Sequence, residues 1–169
     1  MEFKLKTISK AGIPEAISKA ELYRSLNEPE EAESICRDIL AVEPEHQLAR
    51  RLLGLAITDQ FCGGASDRSG EVETLFQSLT ERYERLYYTG LLHERRAKAQ
   101  MHVGRSLQTL TPLFEEAMRC FEEAEMIRPV GNDDAILRWN RCARLLQGHP
   151  GFHEEKEAEA FDAFDSSPI

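Results

Sequence analysis

Residues that could do chemistry are few in this chain, and their spacing works against it. The histidines are His46, His93, His102, His149 and His153, and the cysteines are Cys36, Cys62, Cys120 and Cys142. A zinc site needs several of these at short, regular spacing. His93 and His102 are nine residues apart, about two and a half helical turns, which points them to opposite sides of a helix. His149 and His153 straddle a Pro-Gly break, no cysteine joins either pair at ligand spacing, and no C-x-x-C pair occurs. The Gly63-Gly64 loop lacks the Gly-Lys-Ser/Thr ending of a phosphate loop, so Ser66 and Ser69 read as loop and cap residues. No metal, no cofactor and no catalytic residue is therefore expected.

The elements that would position a site are helical. Glu, Ala, Leu and Arg, all good helix formers, dominate a chain of 169 residues. That length suffices for one domain with a real core. The net charge of −9 argues against general nucleic-acid binding, which needs a basic surface. Three cysteines fall at apolar helix positions, as expected of reduced, buried thiols. Neither a signal peptide nor an apolar run of roughly 20 residues is seen, so a cytoplasmic protein without a membrane span is expected.

Seven helices are predicted. The first follows Pro14, with Ile17, Ala20 and Tyr23 on one face, and Asn27 fits a left-handed stop. The second starts at Pro29, carries Ala32, Ile35, Cys36, Ile39 and Leu40 inward, and ends at Pro44. The third covers about Glu45 to Phe61, before a Gly-rich loop over 62–70. Val72, Leu75, Phe76 and Leu79 mark the fourth, and a fifth over about 81–102 is split from it by an N-cap at Thr80. Thr111-Pro112 reads as the start of the sixth, which ends at Pro129. The seventh covers about Asp134 to Leu146 and contains Trp139.

One pattern occurs twice. Ala32, Cys36, Ile39 and Pro44 repeat as Ala117, Phe121, Ala124 and Pro129, while Ala20-x-x-Tyr23, Leu53-Gly54 with Ile57, and Gly90 supply the matching first-helix positions. On these residues the chain resembles a tetratricopeptide repeat (TPR) protein, over roughly 13–146. It departs from the pattern in two ways. Pro44 and Pro129 are 85 apart, 17 more than two periods of 34 residues, and Ala16, Arg50, Leu86 and Ala135 stand where the family has Trp. The resemblance implies an all-α array of antiparallel helix pairs over 13–148, with an N-terminal arm at 1–12 and an acidic segment at 149–169.

It also implies a non-catalytic adaptor that binds a peptide or protein partner through a concave face. Carrying the family register over, the groove residues are Arg24, Arg51, Asp59, Tyr87, Glu94, Arg95, Asn140 and Arg144, with Glu21, Leu55, Leu91 and Ile136 beside them. Arg and Tyr are residue types suited to peptide recognition. Solvated helix faces carry the same types without function. A clamp for a chaperone's terminal carboxylate is excluded, because Ile17, Glu21 and Leu52 occupy the positions that would need Lys and Asn. The stretch Tyr83 to Lys98 is densest in polar and aromatic groups, with Arg138, Asn140 and Arg141 expected nearby; intrahelical pairs such as Glu94 with Lys98 account for part of it.

Three further readings stand beside this one. The acidic tail, with Phe161 and Phe164 one turn apart, is either a terminal helix capping the core or a peptide that docks on a groove. A homodimer through an open array end, or through Phe3 and Leu5, is a structural alternative. Arg95 or Arg96 with His102, and Arg144 with His149, resemble the Arg and His pairs of HEPN-like helical ribonucleases, against which the acidic charge argues.

Overall fold

A computed structural model describes residues 3–62 and 68–148 of the chain. The acidic segment and most of the Gly-rich loop lie outside the described residues. Among those residues the protein is all-helical: α1 (Ile13–Ser25), α2 (Pro29–Val42), α3 (Gln47–Asp59), α4 (Ser69–Gln77), α5 (Arg82–His102), α6 (Leu107–Met126) and α7 (Asp134–Gln147), with a 3-10 turn at Lys10–Gly12. None of these helices is long and apolar enough to cross a membrane.

Local chemistry sets most of the boundaries. Pro14 and Pro29 lie in the first turns of α1 and α2, where a missing N–H costs nothing. Asn27 takes φ 61°, the left-handed stop its side chain tolerates. His46 caps α3, its Nδ1 accepting from the Ala49 N–H at 3.1 Å.

Two expected boundaries are corrected. The break between α4 and α5 exists, but Thr80 is not the cap. Glu81 holds that position without a side-chain cap bond, and the Thr80 N–H donates to Gln47 Oε1 of α3 at 2.8 Å. The sixth helix begins at Leu107, ahead of Thr111-Pro112, because Ser106 accepts from the Thr109 N–H. Pro112 therefore sits inside α6, where its missing N–H forfeits one intrahelical bond.

Each helix packs on the next in sequence, and α1, α3, α5 and α7 also touch in succession. The odd-numbered helices thus line one side of the array. The core has two parts. One joins α1 to α4 and takes in Leu91 and Leu92 of α5; the other joins α5, α6 and α7 around Phe114, Ala117 and Phe121. α5 belongs to both, and its tyrosines carry aromatic contact across the division. Phe76 meets Tyr88 at 5.3 Å between centroids, Tyr88 meets Tyr87 edge-on at 5.0 Å, and Tyr87 meets Phe121 at 5.9 Å.

Glycine permits the closest crossings. A β-carbon on Gly54 of α3 would lie 2.3 Å from the Phe76 ring of α4, and one on Gly90 of α5 would lie 2.7 Å from the Phe121 ring of α6. The glycines are 36 residues apart, but the phenylalanines that cover them are 45 apart. The difference resides in α5 and α6, which at 21 and 20 residues are longer than the 13, 14, 13 and 9 residues of α1 to α4.

Candidate interaction face

Helices α1, α3, α5 and α7 carry the polar residues singled out from the sequence. On α5, residues 84, 87, 91, 94 and 98 recur every three or four positions and so share one face, and Arg95 borders it. That face looks toward α3 on one side and α7 on the other.

Asp59, at the end of α3, binds two arginines from the flanking helices. Arg24 of α1 donates through Nε to Asp59 Oδ2 at 2.7 Å, and Arg95 of α5 donates through Nη1 to Asp59 Oδ1 at 2.5 Å. Arg95 also reaches the Thr58 hydroxyl at 2.5 Å and the Leu55 carbonyl at 3.2 Å. Burial lowers the pKa of Arg95 and the Asp59 carboxylate offsets part of that; an arginine starts so high that it keeps its charge. These three side chains are each 21–23% exposed, so the row is packed yet still reachable from solvent.

A second tie lies one step along. Arg51 of α3 donates to Glu84 of α5 at 2.5 Å, and its guanidinium sits 5.9 Å from the Tyr88 ring centroid. The third tie reaches α7. Glu94 is fully buried, bonds to Lys98 on its own helix, and has Arg138 Nη1 of α7 at 3.6 Å from Oε2.

Of the eight residues expected in the groove, Arg24, Asp59 and Arg95 form one cluster, Glu94 faces Lys98 and Arg138, and the Tyr87 ring packs against Tyr83, Tyr88 and Phe121. Arg51 pairs outside the expected set. Asn140 is half-buried, and Arg144 is exposed with no ion pair to the described residues. Glu94 offers no surface to a partner; it ties α5 to α7. Thr58 as a ligand of Arg95 is absent from the sequence reading, since only the fold brings α3 and α5 together.

A denser ion network lies away from this face and carries no sequence expectation. Glu33 of α2 accepts from Arg68 at 2.7 and 2.9 Å, from Arg37 at 2.7 Å and from Gln60 at 2.7 Å, while Glu71 of α4 accepts from Arg37 at 2.7 Å and Arg68 at 2.8 Å. Hydrogen bonds from Arg68 dominate, burial opposes them, and Gln60 and Arg37 add to them, which brings the Glu33 carboxyl down to about 2. At Glu71 burial works against ionisation, but Arg37 and Arg68 outweigh it and the net shift is downward. The pairs Glu33–Arg37 and Arg68–Glu71 have helical spacing legible in the sequence. Their union across α2 and α4 is not.

The Arg and His pairing of a ribonuclease-like site is not assembled at Arg95. Its guanidinium is held by Asp59 and Thr58, and His102 is exposed at the end of α5, roughly 10 Å further along the axis. His149 lies outside the described residues. Compared with protein-family models, curated proteins and solved structures, the chain gives no match.

Proposed function

We propose that the protein is a TPR-like helical array that acts as a non-catalytic interaction module, binding a peptide or protein partner across the face lined by α1, α3, α5 and α7. The observation that carries this reading is the ladder of charged ties on that face. Arg24, Asp59 and Arg95 are held at fixed positions and each keeps about a fifth of its side chain open to solvent. Preorganised charged groups lose little entropy on binding a polar peptide. The recurring close crossings at Gly54 and Gly90 support the repeat character of the array.

The test is affinity capture from the protein's own cell lysate with the intact chain and with Arg144→Ala and Arg95→Ala. Arg144→Ala is the cleaner probe, because Arg144 is exposed and ties no helices together. A partner retained by the intact chain and lost by Arg144→Ala, with far-UV helicity unchanged, supports the reading. Equal retention by both variants removes the site from this face.

A homodimer is the second reading. Met126, Val130 and Leu137 expose 84%, 107% and 63% of their surface around the α6–α7 turn, apolar groups that a second copy could cover. Light scattering of the intact chain beside Leu137→Asp separates the two readings.

A further inference from the structure

The geometry points to a zinc-binding site built from His93 of α5 and Glu116 and Cys120 of α6. One ligand atom from each of these side chains lies within 4.8 Å of the others. Glu116 and Cys120 are four residues apart and so share a helical face, and His93 meets them from the neighbouring helix. On α5, His93 is turned away from Glu94 and Arg95, since it aligns with Arg82, Leu86 and Thr89 at helical spacing. The cluster is therefore separate from the ladder of ion pairs and does not rest on the function proposed for it.

Three features favour zinc. The donor set is one imidazole nitrogen, one carboxylate oxygen and one thiolate sulfur, the mixture this borderline ion prefers. A carboxylate and a thiolate together neutralise a divalent charge. Bond lengths of about 2.0–2.3 Å place tetrahedral ligand atoms about 3.3–3.6 Å apart, so small side-chain rotations close the site.

An independent observation concerns His93 itself. Its Nδ1 is buried and has no hydrogen-bond partner among the described residues. Buried polar atoms are almost always satisfied, and an orphan calls for an explanation such as an ion.

With three protein ligands, the fourth coordination position is left for water or a small anion, as in sites that act on bound molecules. Glu116 and Cys120 also line a cleft of about 340 Å³ between α4, α5 and α6, into which Thr89, Arg119 and Glu123 project. The ion must displace two existing arrangements. Arg119 now pairs with Glu116 at the exposed surface, and the Cys120 thiol gives its proton to solvent as sulfur binds the metal.

The experiment titrates the full-length, reduced, chelator-treated chain with zinc against a chromophoric chelator, and with cobalt(II) followed by absorption. One zinc per chain and a thiolate-to-cobalt charge-transfer band are expected. Cys120→Ser should abolish the band, and both it and His93→Ala should weaken zinc binding by more than about 100-fold, beyond what loss of a supporting partner costs. Cys62→Ser, at an exposed cysteine outside the cluster, should change neither. Should the buried variants fail to fold, Glu116→Gln, near the surface, should still lower the affinity at least about tenfold. No stoichiometric zinc, a band that survives Cys120→Ser, or an affinity indifferent to His93 and Glu116 overturns the assignment.

Discussion

Gly54 lies so close beneath the Phe76 ring that a β-carbon there would come within 2.3 Å of it. Helix propensity favours Gly54→Ala by about 1 kcal/mol, but Phe76 is fully buried and cannot retreat. Overpacking of this kind costs about 1–3 kcal/mol and outweighs propensity. Urea denaturation should show Gly54→Ala less stable by about 1–2 kcal/mol. Gly70→Ala, where nothing lies within 4 Å, should instead gain up to about 1 kcal/mol. A stabilised Gly54→Ala would mean that α3 and α4 do not cross here.

Asp59 should matter more to stability than its place at a helix end suggests. Asp59→Asn keeps the shape and removes the charge that Arg24 and Arg95 share. The two guanidiniums then face each other across α3, and the loss should be about 1–2 kcal/mol, moderated by their partial exposure. In a double-mutant cycle, Asp59→Asn and Arg95→Ala should be strongly non-additive. Simple additivity would show that the pair is not formed in solution.

The helices were largely legible in the sequence because their signals are local. Pro14, Pro29 and Asn27 act through their own backbone angles, and Ala117, Phe121 and Ala124 repeat at helical spacing. The errors arose where two local signals competed, as when Pro112 overshadowed the Ser106 cap. The positions expected on α5 came from the repeat register that the resemblance supplies. What Arg95 binds was not legible, since Asp59 and Thr58 are 36 and 37 residues away. The meeting of His93 with Cys120 escaped for the same reason: residues on different helices have no fixed spacing.

Acid should destabilise the fold through Glu33. Its folded pKa, about 2, lies below its ordinary value of 4.5. The stabilisation is therefore complete above about pH 4.5 and is lost as pH falls toward 2. Arg37 is 47% exposed, so solvent screening reduces the effect to about 1–2 kcal/mol. Urea midpoints between pH 7 and pH 2 should fall more steeply for the intact chain than for Glu33→Gln, which should already be weaker at pH 7. Parallel curves would remove Glu33 from the acid response.

The cysteines should divide into one reactive and three protected. Cys36, Cys120 and Cys142 are buried, and burial pushes their thiols up to about 12, 11 and 12; Cys62 is exposed. The thiolate is the nucleophile, so iodoacetamide at pH 8 should modify Cys62 alone in the native chain and every cysteine in denaturant. Mass spectrometry of the digested protein reads this directly. Rapid native labelling of Cys36 or Cys142 would contradict the packing of α2 or α7.

Glu94 is the final case, because its burial and its charge pull in opposite directions. It has no exposed surface, Lys98 binds one carboxylate oxygen, and Arg138 stands 3.6 Å from the other, beyond a good hydrogen bond. Removing one partner of a buried pair costs about 3–5 kcal/mol when the other charge is trapped. Lys98 and Arg138 keep 30% and 38% exposure and can turn to water, so Glu94→Ala should lose nearer about 2 kcal/mol, much of it from the cavity. Glu94→Met fills the same volume without an unsatisfied oxygen and should fall within about 1 kcal/mol of the intact chain. Thermal unfolding of the two variants decides between packing and charge. If methionine destabilises as much as alanine, the carboxylate itself holds α7 against α5.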